Sequence, residues 1–232
     1  MTLHIGIAGC SAEGAALCYR TICLEGQALL GRNVHPEVSM HTPSLSDYVD
    51  CLESDDIAGI GDLMLQSAIK LAAIGADFVI CPDNTVHQAY DGMIERSPVP
   101  WLHIGEVVAA EAARQDFSRL ALTGTSWLVN SDVYPTKLAV HDLDFARPDP
   151  GERQEIDRII MEELTHGIFK PEAIAYFQKT ITRMGQAGCD AVILGCTEIP
   201  LIMDDSNSSL PTLDSTRLLA RAALLRATSN AS

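Results

Sequence analysis

The 232-residue chain is predicted to be an α/β protein built from two similar domains, each with a parallel sheet. Two observations predict this fold. Short apolar runs typical of buried strands alternate with longer amphipathic runs typical of helices, and segments of the first half recur in the second half in the same order. We expect one domain at residues 1–100, joined by a C-terminal helix at 212–232, and the other at residues 101–211. A pseudo-twofold axis would relate them, with an active site in the cleft between them.

The first half opens on an apolar run and a turn rich in Gly and Ser. A long helical pattern ends at Gly75, a residue typical of helix C-caps, and Asn84 suits the N-cap of a later helix. The predicted elements are a strand at Leu3–Ala8, helices at Ala15–Leu30 and Ile57–Ile74, and strands at Phe78–Cys81 and Val99–Ile104.

The second half repeats the alternation of helical and apolar runs. Its predicted elements are a helix at Val107–Arg114, a strand at Arg119–Leu122, mostly helical structure over Gly151–Met184, and strands at Ala191–Leu194 and Leu210–Leu213. The C-terminal helix follows the last of these strands.

Composition excludes several classes of partner. The net charge of −15 and the pI of about 4.7 argue against binding to nucleic acid or to an anionic membrane surface. No apolar run reaches the roughly 20 residues of a membrane helix, and no signal-peptide pattern opens the chain. The seven cysteines are scattered, which favours reduced thiols and a cytoplasmic location. The histidines and acidic residues lack metal-ligand spacing, so we predict no metal.

The repeat brings two chemically active residues into equivalent positions. Gly75-Ala-Asp-Phe-Val-Ile-Cys-Pro-Asp83-Asn84 aligns without a gap with Gly188-Cys-Asp-Ala-Val-Ile-Leu-Gly-Cys196-Thr197. Residues 5–11 likewise match 120–126, and 99–102 match 210–213. Asp83 and Cys196 therefore follow equivalent strands, where sites form in parallel sheets. Domains that face each other would bring these side chains to opposite faces of one carbon, the arrangement that inversion of a stereocentre requires.

The same segments resemble a known family. Leu194-Gly-Cys196-Thr197-Glu198-Ile-Pro200 resembles the second signature of aspartate/glutamate racemases, with the Glu typical of the aspartate racemase branch. Cys81-Pro-Asp83-Asn84-Thr85-Val-His87 resembles the first signature, in which a cysteine usually stands where Asp83 does here. Residues 8–14 and 163–170 resemble two further family segments. The resemblance implies an isomerase that needs no pyridoxal phosphate or other cofactor, forms a homodimer and uses two acid/base groups between two α/β domains.

Site residues follow from the repeat and the resemblance together. Cys196 and Asp83 are the expected catalytic pair, although Asp83 could instead bind substrate or cap a turn. Cys81 lies opposite an apolar strand position in the repeat and is expected in the core. The expected substrate-binding residues, all polar and next to strand ends, are Ser11, Asn84, Thr85, Thr123, Thr125 and Thr197. His87 and Glu198 are expected to support the catalytic pair.

The expected activity is racemisation or epimerisation of a small amino or hydroxy acid, an acidic amino acid by the resemblance, through proton transfer at Cα. Two alternatives stay open. A decarboxylase or cis–trans isomerase with one cysteine would explain why Asp83 replaces the first cysteine. A two-domain protein that binds a small acid without catalysis is the other alternative.

Overall fold

The computed structural model describes residues 2–229 and divides the chain into two compact units. Unit 1 contains the chain up to Ile104 and from Thr216 onward, and unit 2 is Gly105–Ser215. Each unit carries one sheet whose strands all pair in parallel. The prediction of an α/β fold with parallel sheets is confirmed.

The sheet of unit 1 has the strand order β2-β1-β3, with the central strand fully buried. Its strands are β1 (Ile5–Ala8), β2 (Val38–His41) and β3 (Phe78–Ile80). The helices of the first part of the chain are α1 (Ala12–Leu30), α2 (Leu45–Glu53), α3 (Ile57–Ala73), a 3₁₀ helix (Thr85–Ala89) and α4 (Tyr90–Ile94). Helix α5 (Ile104–Arg114) leads into unit 2, and α10 (Ser215–Thr228) returns to unit 1. Residues 230–232 of the expected C-terminal helix lie outside the described part.

The sheet of unit 2 has the order β5-β4-β6-β7. Its strands are β4 (Arg119–Thr123), β5 (Asp144–Ala146), β6 (Ala191–Leu194) and β7 (Thr212–Asp214). Its helices are α6 (Ser126–Val129), α7 (Pro135–Ala139), α8 (Pro150–Glu162), α9 (Pro171–Gln186) and 3₁₀ helices at Leu164–His166 and Ile199–Leu201. The core of this unit packs α8 and α9 against β6, with Phe177, Ile181 and Val192 fully buried.

The sequence repeat corresponds to repeated backbone structure. Gly75 and Gly188 both have φ +95°, a conformation that a side chain would strain. In unit 1 the carboxylate of Asp77 accepts a bond of 2.7 Å from the backbone N–H of His4. In unit 2 the carboxylate of Asp190 accepts from the N–H of Arg119 at 3.1 Å. In each unit an aspartate after a left-handed glycine thus fixes the start of the neighbouring strand.

A second pair of bonds repeats at the end of each segment. The N–H of Val79 donates to the carbonyl of Pro100 at 2.9 Å, and the N–H of Val192 donates to that of Pro211 at the same distance. The outcomes differ, because β7 forms a true strand whereas the strand predicted at Val99–Ile104 does not. There the chain makes only an isolated bridge between Val79 and Trp101, and Ile104 already begins α5. Proline on both sides of Val99 lacks the N–H groups that a ladder needs.

No helix within residues 2–229 combines the length and the apolar character needed to cross a membrane.

Candidate active site

Asp83 follows β3 and caps the turn that begins the 3₁₀ helix. Its Oδ1 accepts hydrogen bonds from the backbone N–H of Thr85 at 2.9 Å and of Val86 at 3.3 Å. Asn84 stands at the N-cap position, as expected, but it has helical φ and ψ angles and its side chain makes no cap bond. Because the residue before the helical backbone supplies the cap, this task falls to Asp83.

A tyrosine from a separate helix also holds Asp83. The hydroxyl of Tyr48, on α2, donates to Asp83 Oδ1 at 3.0 Å. Tyr48 is only 4% exposed. Burial first, and then the neighbouring Asp83 and Cys10, raise the pKa of Tyr48 well above its ordinary value. The phenol therefore stays protonated and acts as a donor. Since α2 was not predicted, no sequence signal placed Tyr48 beside Asp83.

The backbone just before Asp83 is supported from within unit 1. Cys81 is fully buried, as expected for a core position. The carbonyl of Cys81 is 3.2 Å from Nε2 of His87, and since a carbonyl can only accept, that nitrogen carries the proton. The ring of His87 packs against those of His103 and Tyr90, with centroids 4.6 Å and 6.0 Å away. His87 thus contacts the strand end that presents Asp83.

Cys196 follows β6 and is paired with a buried carboxylate. Its thiol donates to Oε2 of Glu198 at 2.9 Å, and the hydroxyl of Thr197 donates to the same oxygen at 2.7 Å. Glu198 is 3% exposed, whereas Cys196 is half-buried. The only helical structure that opens directly after Cys196 within the described residues is the three-residue 3₁₀ helix Ile199–Leu201. A carboxylate, rather than a long helix, is therefore the group that orients this thiol and can accept its proton.

Close packing of two backbones positions the Cys196 turn. A Cβ atom on Gly195 would lie 2.5 Å from the carbonyl oxygen of Thr123 and 2.6 Å from a methyl of Leu128. A Cβ atom on Gly124 would lie 2.9 Å from the same methyl. The loops after β4 and β6 can approach this closely only because both positions are glycine.

Three of the remaining candidate hydroxyls, those of Ser11, Thr125 and Thr123, have structural partners. Ser11 caps α1 through a bond from the N–H of Gly14 at 3.2 Å, and Thr125 caps α6 through one from Leu128 at 3.4 Å. A hydroxyl oxygen carries two lone pairs, and each cap bond uses one of them. Thr123 differs, because it is fully buried and its hydroxyl donates to the carbonyl of Ile193 at 2.7 Å. This contact ties β4 to β6 and favours a structural role for Thr123.

Within residues 2–229, no group of three or more His, Cys, Asp or Glu side chains is arranged to hold a metal ion.

Comparison with known proteins decides the family. The sequence model of the Asp/Glu/hydantoin racemase family matches residues 7–223. The chain belongs to this family. Among curated relatives of this racemase-family protein, the broad specificity amino-acid racemase RacX of Bacillus subtilis strain 168 is 26% identical over 161 residues, 68% of either chain.

Solved structures of the racemase family match nearly the whole chain. A candidate Asp/Glu racemase from Yersinia pestis has 27% identity and a TM-score of 0.88, over 97% of this chain and 99% of the other. An aspartate racemase homologue from Pyrococcus horikoshii OT3 has 25% identity and a TM-score of 0.83, over 98% and 100%. The fold extends to the glutamate racemase from Francisella tularensis, at 14% identity and a TM-score of 0.69 over 97% of this chain and 81% of that one. The resemblance to aspartate/glutamate racemases is confirmed, and these homologues support a general racemase function, which is an isomerase activity.

Proposed function

We propose that this protein is a cofactor-independent amino-acid racemase or epimerase in which Cys196 and Asp83 exchange protons with opposite faces of the substrate Cα. The observation that carries the proposal is the contact of 2.9 Å between the Cys196 thiol and Glu198, at the strand end that is equivalent in the repeat to that of Asp83. A thiol hydrogen-bonded to a buried carboxylate is the pattern of an activated acid/base group. Family membership supplies the reaction class.

The proton balance of the reaction is simple. One group removes the Cα proton and leaves an enolate-like carbanion, and the other group delivers its own proton to the opposite face. The two groups end with exchanged protonation states and return to the starting state through solvent or through the reverse reaction. In one direction the Cys196 thiolate accepts and protonated Asp83 donates; in the other direction the roles are reversed.

The carbanion requires hydrogen-bond donors around the substrate carboxylate, because the Cα proton is very weakly acidic. We assign this role to polar groups beside the two strand ends. The proposed binding residues are Ser11, Asn84, Thr85, Thr125 and Thr197. His87 and Glu198 act as supports of the catalytic pair, and the active form is proposed to be a homodimer.

The range of amino acids that the enzyme accepts has to be determined by experiment. The resemblance favours an acidic amino acid, whereas RacX is described as a broad specificity enzyme. A substrate screen must therefore include acidic, neutral and basic side chains.

A second candidate activity follows from one residue. Asp83 stands where the family signature usually has cysteine, and a single thiol is sufficient for a decarboxylase or cis–trans isomerase that donates a proton to one face only. Binding of a small acid without catalysis would leave Cys196 without a chemical role.

The test is a screen of D- and L-amino and hydroxy acids in heavy water. Deuterium uptake is measured by mass spectrometry, and inversion by chiral chromatography. The variants are Cys196→Ala and Asp83→Asn, and the control is Cys23→Ala, which removes another half-buried thiol. We expect exchange and inversion with wild type and Cys23→Ala, and loss of inversion in the other two.

Each other outcome contradicts the proposal in a distinct way. Full exchange by Cys196→Ala would show that the thiol is not an acid/base group. Exchange from one enantiomer without inversion would favour the one-cysteine alternative. A ligand-dependent rise in melting temperature without any exchange would indicate a binding protein.

A further inference from the structure

We propose that Tyr48 is a positioning residue for Asp83: its hydroxyl holds Oδ1 of the carboxylate and fixes the orientation of this group. The inference rests on the proposed role of Asp83 as an acid/base group, and it adds a supporting residue to that role.

Three donors converge on one oxygen. Oδ1 of Asp83 accepts from the N–H of Thr85 at 2.9 Å, the N–H of Val86 at 3.3 Å and the hydroxyl of Tyr48 at 3.0 Å. A carboxylate oxygen offers two lone pairs, so these contacts use its accepting capacity fully. The three bonds together hold the carboxylate in one orientation, and the tyrosine supplies one of them.

The donors come from two sources. Thr85 and Val86 belong to the turn that Asp83 itself caps, whereas Tyr48 comes from α2, far away in sequence. The local bonds fix the carboxylate relative to its own backbone, and the tyrosine links it to a second element. Catalytic groups need this support, because small displacements of a reacting atom are costly.

The chemistry of the tyrosine suits a fixed donor. Its ring is buried, and Cys10 and Cys81 are its other titratable neighbours. A phenol in this surrounding keeps its proton at working pH and does not compete with Asp83 for the substrate proton. Tyr48 therefore orients the carboxylate without taking part in the proton balance.

The experiment uses Tyr48→Phe, which keeps the ring and removes one donor. The readout is solvent deuterium uptake into each pure enantiomer before inversion, since this exchange reports the group on one face only. The control is Tyr134→Phe, because Tyr134 is also fully buried and its hydroxyl is bonded to Ser215.

We expect Tyr48→Phe to slow exchange about tenfold to a hundredfold for the enantiomer that faces Asp83, the usual effect of losing one hydrogen bond to a charged group. Exchange of the other enantiomer and both KM values should stay within about twofold, and Tyr134→Phe should leave both rates unchanged. In an Asp83→Asn background, Tyr48→Phe should have no further effect on exchange.

An equal loss of exchange rate for both enantiomers in Tyr48→Phe, or no loss for either, would overturn the inference. The proposed reaction would still stand if Cys196→Ala and Asp83→Asn had lost inversion. Retained inversion in those two variants would instead overturn the reaction. If Tyr48→Phe does not fold, wild type containing 3-fluorotyrosine replaces it. Its stronger phenol donor should change the rate of the same enantiomer only, and unchanged rates would again refute the inference.

Discussion

Replacing Glu198 with Gln should separate the chemical role of this residue from its structural role. The side chain keeps its size but loses its negative charge. In Glu198 the charged Oε2 accepts hydrogen bonds from the thiol of Cys196 at 2.9 Å and from the hydroxyl of Thr197 at 2.7 Å. A hydrogen bond to a charged group contributes roughly 1.5–3 kcal/mol and a neutral one roughly 0.5–1.5 kcal/mol, so each bond weakens by about 1 kcal/mol. Two weakened bonds amount to about 2 kcal/mol, or a rate loss of about 30-fold.

The stability of Glu198→Gln should not fall in parallel with its activity. Glu198 is 3% exposed, and neutralising a buried carboxylate removes a desolvation cost that offsets the lost bonds. We therefore expect kcat/KM for exchange to fall about 30-fold while the melting temperature stays the same or rises. The comparison variant is Thr197→Val, which removes one hydrogen-bond donor and leaves the Glu198 carboxylate bonded to Cys196. It should lose less exchange activity than Glu198→Gln does. Unchanged exchange in Glu198→Gln would refute a role for this carboxylate in activating the thiol.

Three further predictions concern the fold and its pH dependence. Burial and the cation of Lys70 lower the pKa of His41, so the unfolded chain takes up this proton at a higher pH than the folded protein does. The free energy of unfolding should therefore fall as pH drops below about 6.5. Urea unfolding measures this fall, and the part due to His41 should be absent in His41→Gln. Phe177→Ala should cost about 3–5 kcal/mol, because the ring is fully buried in unit 2; a loss below about 1 kcal/mol in urea unfolding would contradict the packing. Gly195→Ala should abolish deuterium exchange and lower the melting temperature, since its Cβ would lie 2.5 Å from the Thr123 carbonyl; an active, stable variant would contradict that contact.

Continuous apolar runs predicted the buried strands well. The strands β1 and β6 are buried at every position, so their sequences show no alternation and are easily recognised. Strand β2 was missed because it lies at the edge of its sheet, is partly exposed throughout, and is defined by pairing with β1 rather than by its own pattern. Helix α2 follows it directly, and Tyr48 was missed with it.

The capping of the Asp83 turn shows why local sequence was insufficient. Asp83 and Asn84 are adjacent, and both residue types favour N-caps. The choice between them depends on Asn84 adopting helical angles and on Tyr48 reaching the Asp83 carboxylate. Neither fact can be deduced from residue types. In unit 2, by contrast, Glu198 lies only two residues after Cys196, and the two side chains are within hydrogen-bond distance of each other.

The two strand ends use carboxylates in opposite ways. In unit 1 the proposed acid/base group is itself the carboxylate of Asp83, held by the neutral donor Tyr48. In unit 2 the proposed acid/base group is the thiol of Cys196, and the carboxylate of Glu198 accepts its hydrogen bond. This asymmetry cannot favour one enantiomer at equilibrium, because mirror-image substrates have equal free energies in water. For a racemisation, kcat/KM must therefore be equal in the two directions, and the asymmetry can appear only as matched changes in kcat and KM and as unequal deuterium uptake.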